Sequence, residues 1–347
     1  MAHTLSAEQL LGTALRAQLA NGSIPKHTAL DKDVSELGDY TVTDQIIDLH
    51  NANCKDPRRT FVVNSLVKHL HAFIRETMLT ETEFTAALKF IDQAVKAGDI
   101  GGFSEMYVAG ASLGVLTLLD ELHNPRPKGS TLGALEGPFF IRENVPVLPS
   151  GSSICSSETV GEKMFFSGTV RNMQGRPIKG ALIDIWQADG DGLYDVQYKK
   201  GADDRARITA KDDGTFTFRG VMPTAYGLPD VGPTTELLSS LGRHPYRATH
   251  IHFQLAAPGY QDLITQLSPS NALFLADDSV FATKRDLIAD VSEDTNPSNW
   301  GTMGFNEAEV RKAGGRVWVW KFDFVLPTPD ECEAAKKQLK EKLATRV

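Results

Sequence analysis

The 347-residue chain has few cysteines, no long apolar run and no excess of basic side chains. Its three cysteines, Cys54, Cys155 and Cys332, are far apart and form no C-x-x-C pair. This spacing argues against a zinc site and is typical of free thiols in a reducing compartment. The formal net charge of −8 disfavours nucleic acid as a partner, because the phosphates of nucleic acid require a basic surface.

Two further absences concern membranes and export. No run of about 18 apolar residues occurs, so we expect no membrane-spanning helix. The first residues, M-A-H-T-L-S-A-E-Q-L-L-G, lack the basic segment and the apolar core of a secretory signal. The expected location is therefore the cytoplasm.

The first third of the sequence has the periodicity of helices. Apolar residues recur at helical spacing between 59 and 78; they are Phe61, Leu66, Leu70, Phe73 and Ile74. Thr80 and Glu83 predict a capping box for a second helix, which ends near Gly98. We expect a third helix over 104–122, followed by a break rich in Pro and Gly at 123–131.

After about residue 150 the pattern changes to short strands and turns. The strand candidates are rich in β-branched and aromatic residues; they are F-F-S-G-T-V, A-L-I-D-I-W, G-T-F-T-F-R, H-I-H-F-Q-L and R-V-W-V-W-K-F-D-F-V-L. The predicted fold class is α+β, in which a helical N-terminal region precedes a mostly antiparallel β-sandwich and a polar C-terminal helix.

The most informative motif is R-A-T-H-I-H at 247–252. Side chains alternate across a strand, so His250 and His252 share one face and can bind one metal ion. His69 and His71 are also two apart, but they lie in a helical stretch, where residues two apart point in different directions. A pair of hydrogen-bonded or exposed histidines is the alternative interpretation of His250 and His252.

The stretch from 167 to 267 resembles the catalytic core of the intradiol ring-cleaving dioxygenases of the catechol and hydroxyquinol group. The shared motifs are G-T-V-R-N-M-Q-G-R-P-I-K-G-A, then W-Q-A-D-G-D-G-L-Y with Trp186 and Tyr194, then P-T-A-Y with Tyr226, then R-A-T-H-I-H and A-P-G-Y. The family usually has Pro-Ala where this chain has Ala248-Thr249. L-E-G-P-F-F at 135–140 extends the resemblance toward the helical part.

The resemblance implies one Fe(III) ion per chain, bound by Tyr194, Tyr226, His250 and His252. Two tyrosinates suit a hard ferric ion, which favours anionic oxygen. Tyr226 is implied to leave the metal and to accept a proton from the substrate. Arg247 is implied to stabilise negative charge on the substrate, and in a straight strand it would face away from His250, so a bend is required.

Further residues of the resemblance concern the reaction and the pocket. Gln266 matches a family glutamine near the metal; a hydrogen-bonding role at a strand edge is its alternative. The candidate substrate-binding residues besides Arg247 are Val108, Ala111, Gly137 and Pro138.

The implied reaction is the cleavage of catechol by O2, between its two hydroxyl-bearing carbons, to cis,cis-muconate. Ala111 aligns with a position where hydroxyquinol enzymes carry an aspartate, and an alanine there favours catechol, which has no third hydroxyl. The alternative is a hydroxyquinol 1,2-dioxygenase that gives maleylacetate, which R-H-P-Y-R and D-D-S-V-F-A-T-K favour. A metal-free binding module and an Fe(II) enzyme with a carboxylate ligand are the alternatives from other classes.

The resemblance also implies assembly. Residues 1–130 would be a helical dimerisation domain, and residues 131–347 a β-sandwich catalytic domain that binds iron and ends in a helix. Family members form homodimers through the N-terminal helices, and they hold a phospholipid there, so we expect both partners for this chain.

Overall fold

The computed structural model describes residues 41–100, 103–198, 201–228 and 232–345. The first 40 residues of the predicted dimerisation domain therefore lie outside the described residues. The chain divides into two compact units between Lys89 and Phe90. Within the described ranges, no helix is both long and apolar enough to cross a lipid bilayer.

Several helices begin after a residue whose side chain caps them, such as Thr41, Asp56 and Thr328. In chain order the helices are α1 (Val42–Asn53), α2 (Pro57–Thr77), α3 (Glu81–Ala97), α4 (Glu105–Ser112), α5 (Val115–His123), α6 (Asp195–Tyr198), α7 (Pro233–Ser240), α8 (Pro297–Trp300), α9 (Glu307–Lys312) and α10 (Pro329–Ala344). Asp56 caps α2 by accepting the backbone N–H groups of Arg58 and Arg59. The predicted capping box is present before α3, where Glu83 accepts the Thr80 N–H at 2.9 Å.

The predicted single helix at 104–122 is wrong in one respect, because it is two helices, α4 and α5. The backbone at Gly114 is left-handed, with φ of +76°, and only glycine adopts this conformation without steric cost. Val108 and Ala111 are buried on α4.

The strands of the second unit cover most of the sequence that was predicted to be β. They are β1 (Asp99–Ile100), β2 (Phe103–Ser104), β3 (Val147–Leu148), β4 (Lys163–Asn172), β5 (Leu182–Gln187), β6 (Arg205–Thr209), β7 (Thr215–Val221), β8 (Tyr226–Gly227), β9 (Tyr246–Arg247), β10 (Ile251–Ala256), β11 (Leu263–Pro269), β12 (Ile288–Asp294) and β13 (Val317–Leu326). Nine of them form one sheet in the order β3-β6-β5-β10-β11-β12-β13-β4-β7.

The sheet is mixed but mostly antiparallel, as predicted. Five neighbouring pairs are antiparallel, but β3–β6, β11–β12 and β13–β4 are parallel. The β11–β12 pair is short, with two residue pairs in register. It joins the five-stranded half β3-β6-β5-β10-β11 to the four-stranded half β12-β13-β4-β7.

The two halves face each other across an aromatic core, as in a sandwich. The ring of Phe253 on β10 lies 5.1 Å from that of Phe166 on β4 and 5.0 Å from that of Phe324 on β13. All three side chains are fully buried. The α+β architecture, with a helical N-terminal region and a β domain, is therefore confirmed. This rigid sheet fixes the strands that carry the site.

Candidate metal centre

Three neighbouring strands bring aromatic and polar side chains into one row. His252 on β10 lies opposite Trp186 on β5 and opposite Gln266 on β11, and residues that face each other across strands share one side of the sheet. The Trp186 and His252 rings stack at 4.9 Å, with an interplanar angle of 3°. The stack fixes the plane of the imidazole.

A side-chain-supported turn positions Tyr194. The Asp189 carboxylate, just after β5, accepts the backbone N–H groups of Asp191 and Leu193 at 2.9 and 3.0 Å, and this turn delivers Tyr194 to the start of α6. Tyr194 is fully buried. Its ring stacks on Phe139 with the ring centroids 4.3 Å apart. Residues 189–192, D-G-D-G, therefore form a turn.

The small two-stranded sheet β8–β9 positions the second tyrosine. Tyr226 is paired with Arg247 in the register of this sheet, and Tyr226 is half-buried. Between β9 and β10, residues 248–250 are outside any strand. Because the chain bends there, Arg247 and His250 reach the same cluster although their parity in a straight strand would separate them.

The polar atoms of these residues converge. The Nε2 atoms of His250 and His252 are 3.1 Å apart. The Tyr194 hydroxyl lies 3.4 Å from His250 Nε2, and the Tyr194 and Tyr226 rings meet edge to face at 5.5 Å. Arg247 Nη1 is 3.4 Å from both the Tyr226 hydroxyl and His250 Nε2. Two imidazoles and two phenols thus surround one point.

Burial keeps both histidines neutral in the absence of a metal. It lowers the pKa of His250 to about 3, with the Arg247 charge as the next cause. Burial also lowers the pKa of His252 well below its usual value. The Nδ1–H of His250 donates to the Ala248 carbonyl oxygen at 2.6 Å, which leaves the Nε2 lone pair directed at the cluster.

The donor set fits a hard cation. Burial, followed by the nearby Tyr226, raises the pKa of Tyr194 well above its usual value, so this phenol ionises only beside a strong positive charge. Among the described residues, His252 Nδ1 has no hydrogen-bond partner. No group of three or more His, Cys, Asp and Glu side chains in the described part of the chain could hold a metal, so any metal bound here needs the tyrosines.

Arg247 is fixed by two buried neighbours. Its Nη2 donates to Gln266 Oε1 at 2.9 Å, and its Nε lies 3.2 Å from Asp278 Oδ1. The Asp278 contact escaped the sequence reasoning. A buried arginine requires a carboxylate, and Asp277 and Asp278 open the D-D-S-V-F-A-T-K segment, but the sequence alone does not pair either of them with Arg247.

A small pocket, with a cavity volume of about 30 Å³, adjoins the cluster. Its wall contains the four predicted substrate-binding residues, namely Val108, Ala111, Gly137 and Pro138. Sequence reasoning missed the other wall residues, which are Tyr107, Leu135, Leu228 and Val280. Tyr226 and Arg247 belong both to the wall and to the cluster, so they connect the pocket to the candidate metal ligands.

The other His-x-His pair behaves differently. His69 is exposed on α2, whereas His71 Nδ1 lies 2.8 Å from the Thr43 hydroxyl of α1. The two imidazoles therefore have different surroundings, as expected for residues two apart on a helix.

The comparisons with known proteins agree with the motifs. The family model "Dioxygenase" matches residues 135–327, and "Catechol dioxygenase N terminus" matches residues 56–131. The intradiol ring-cleavage dioxygenase hqdA of Aspergillus niger is 34% identical over 313 residues, which cover 88% of this chain and 91% of that protein. The 6-chlorohydroxyquinol 1,2-dioxygenase of Cupriavidus pinatubonensis is 35% identical over 259 residues, which cover 74% of this chain and 92% of that protein.

The solved structures give the same result. The hydroxyquinol 1,2-dioxygenase of Pseudomonas putida DLL-E4 superposes with a TM-score of 0.75 at 29% identity, over 83% of this chain and 97% of that one. Other matched relatives are named hydroxyquinol, catechol and chlorocatechol 1,2-dioxygenases. The chain therefore belongs to the intradiol ring-cleavage dioxygenases, in the group of catechol and hydroxyquinol 1,2-dioxygenases.

Proposed function

We propose that this enzyme binds one Fe(III) ion per chain through Tyr194, Tyr226, His250 and His252, and that it cleaves catechol with O2 to cis,cis-muconate. The observation that carries the proposal is the convergence of two phenols and two neutral imidazoles beside an apolar pocket. Ferric iron in this site would chelate both substrate oxygens and activate the ring toward O2.

A side chain of the protein would take part in deprotonating the substrate. A catechol must lose two protons to bind as a dianion; Tyr226 would accept one, and a hydroxide ion in the open site would accept the other. Tyr226 is only half-buried and lines the pocket, so it is the ligand that substrate can reach and the one we assign to accept a proton. Tyr194 is fully buried and stacked on Phe139, which suits a ligand that stays in place.

Arg247 and Gln266 would orient the substrate and stabilise its charge. Arg247 Nη1 faces the Tyr226 hydroxyl, so the guanidinium lies beside the region where the substrate becomes negative. The Gln266 amide oxygen accepts from Arg247, while its Nε2 is buried without a partner. That N–H group is free to donate to a substrate oxygen.

The pocket wall favours an unsubstituted ring. Much of the wall is apolar, including Val108, Ala111 and Val280, and Ala111 aligns with the position where hydroxyquinol enzymes are expected to carry an aspartate that accepts a hydrogen bond from the third hydroxyl. A polar substituent left without a partner in an apolar wall would lower the affinity. Catechol has no third hydroxyl, so it would bind against this wall without this loss of affinity.

Hydroxyquinol, which would give maleylacetate, is the second candidate. Five matched relatives and one solved structure are named for hydroxyquinol or chlorohydroxyquinol substrates, so the comparisons support this candidate at least as well as catechol. In addition, Tyr107 places a phenol in the pocket wall, and a phenol can accept or donate a hydrogen bond. Burial raises the pKa of Tyr107, and the Glu136 charge raises it further, so this phenol is neutral at neutral pH.

The deciding experiment compares kcat/KM for the two substrates in the wild type, Ala111→Asp and Tyr107→Phe. If catechol is the substrate, the wild type prefers it and Ala111→Asp shifts the preference toward hydroxyquinol. Tyr107→Phe then leaves the ratio within about twofold. A wild-type preference for hydroxyquinol of tenfold or more, reduced in Tyr107→Phe, would establish the second candidate instead.

We also propose that residues 1–130 form a homodimerisation domain that holds a phospholipid, and that residues 131–347 are the catalytic domain. In support, α2 exposes large apolar side chains, including Phe61 at 65% and Leu66 at 62% exposure. A groove of about 600 Å³ lies between α1 and α2, with Ile47 and Phe61 in its wall. Light scattering tests the dimer, and native mass spectrometry before and after delipidation tests the lipid.

A further inference from the structure

We propose that Asp278 is a positioning residue that holds the Arg247 guanidinium in the orientation required for ring cleavage; this inference rests on the proposed function. Both side chains are almost completely buried, with 5% of the Arg247 side chain and 1% of the Asp278 side chain exposed. Asp278 contacts the arginine and none of the candidate metal ligands through a hydrogen bond.

The ion pair uses one edge of the guanidinium. Arg247 Nε donates to Asp278 Oδ1 at 3.2 Å, and Nη2 donates to Asp278 Oδ2 at 3.3 Å. Such a two-point contact fixes the plane of the guanidinium and its rotation. The remaining nitrogen, Nη1, is consequently directed at the Tyr226 hydroxyl and at His250 Nε2, each 3.4 Å away.

Asp278 is itself held by its own loop. Its Oδ1 accepts the Val280 N–H at 2.9 Å, and its Oδ2 accepts the Thr283 hydroxyl at 3.3 Å. Val280 is also part of the pocket wall. One short loop therefore sets both the direction of Arg247 and part of the pocket surface.

Without the carboxylate, Arg247 keeps only one strong contact on this edge. The 2.9 Å bond from Nη2 to Gln266 Oε1 is a single point about which the guanidinium can rotate. Displacement of a catalytic group by about 1 Å can cost on the order of a hundredfold in rate. Loss of Asp278 should therefore lower kcat by misplacing Arg247, even where the fold and the metal site persist.

The test is a double-mutant cycle of Asp278→Asn with Arg247→Met. We expect Asp278→Asn to bind iron in the wild-type amount, to lower kcat ten- to a hundredfold and to change KM less than about threefold. In the Arg247→Met background the same substitution should change kcat less than twofold, because no guanidinium is left to position. An equal loss of kcat in both backgrounds would overturn the proposal.

Asp184→Asn is the matched control. It breaks the Arg207–Asp184 pair, which has a 2.7 Å contact between β5 and β6 and is not part of the site. We expect a loss of stability with kcat unchanged. A fall in kcat as large as that of Asp278→Asn would show that removal of any ion pair is sufficient, and would refute the specific role.

Asp278→Glu replaces Asp278→Asn in this test if the Asp278→Asn variant does not fold. It keeps the charge but shifts the carboxylate by one methylene, and we expect a kcat loss below tenfold that vanishes in the Arg247→Met background. A loss that persists there would again refute the positioning role.

An NMR readout separates this inference from the proposed function. In metal-free protein the Arg247 Nε–Hε signal should be protected from exchange in the wild type, and protection should fall at least tenfold in Asp278→Asn. Unchanged protection would refute the inference even if the enzyme is active. Failure of the wild type to bind iron or to open either ring would refute the proposed function and would leave this signal as the test of the contact.

Discussion

Replacement of Gly137 by alanine is a sharp test of the pocket. The backbone at Gly137 has φ of +72°, and a Cβ built there would lie 3.5 Å from both Cε1 and Nε2 of His252. The left-handed conformation costs an L-residue roughly 1–2 kcal/mol. The added methyl group would also occupy space beside the imidazole nitrogen that we assign to the metal.

Gly180→Ala is the control for the backbone cost. Gly180 has nearly the same φ, +70°, and no atom lies within 4 Å of its built Cβ. Both variants should therefore lose about 1 kcal/mol of unfolding free energy or slightly more. Only Gly137→Ala should also weaken iron or catechol binding, by an expected tenfold or more.

The assay combines urea unfolding with iron analysis and a catechol titration without O2. Equal destabilisation of the two variants, with a binding loss in Gly137→Ala alone, is the expected result. Native iron content and native catechol affinity in Gly137→Ala would refute the reasoning, because the methyl group would then touch nothing that matters for binding.

Other outcomes follow from the same geometry. Tyr226→Phe should retain part of its iron but lose turnover, whereas His252→Ala should lose the metal itself; native turnover in Tyr226→Phe would contradict the proton-acceptor role. The metal-free protein should lose stability as the pH falls from about 6.5 toward 3. The cause is that His250 binds a proton in the unfolded state but stays neutral in the folded state, where its pKa is about 3. The free energy of unfolding in urea should depend less on pH in the His250→Asn variant. Phe61→Glu on α2 should weaken the proposed dimer, and unchanged mass by light scattering would contradict the assigned surface.

Local sequence rules predicted the parts of the fold that depend on near neighbours. The capping box at Thr80 and Glu83 and the strand β10 need only a few adjacent residues, and both are present in the structure. The predicted strand was one residue too long at its start, because β10 begins at Ile251 and His250 lies in the bend before it. The helix break at Gly114 was not foreseen, because glycine inside an apolar helical pattern is compatible with both a continuous and a broken helix.

The long-range contacts of the fold could not be predicted from local sequence rules. The parallel pairing of β13 with β4 joins residues about 150 positions apart, and no local pattern specifies it. The motif match pointed to the four candidate ligands, but the Arg247–Asp278 pair and the Trp186–His252 stack depend on how separate segments meet in space. The residue types allow such contacts but do not identify which residue is the partner.

Product identification tests the central claim most directly. Iron-loaded protein is incubated with catechol in ¹⁸O2, and the product is analysed by mass spectrometry. Intradiol cleavage adds both oxygen atoms to the ring carbons, so we predict cis,cis-muconate with one ¹⁸O atom in each carboxylate, or maleylacetate labelled in the same way from hydroxyquinol. A semialdehyde from cleavage outside the two hydroxyl-bearing carbons, or unreacted substrate in both incubations, would contradict the account.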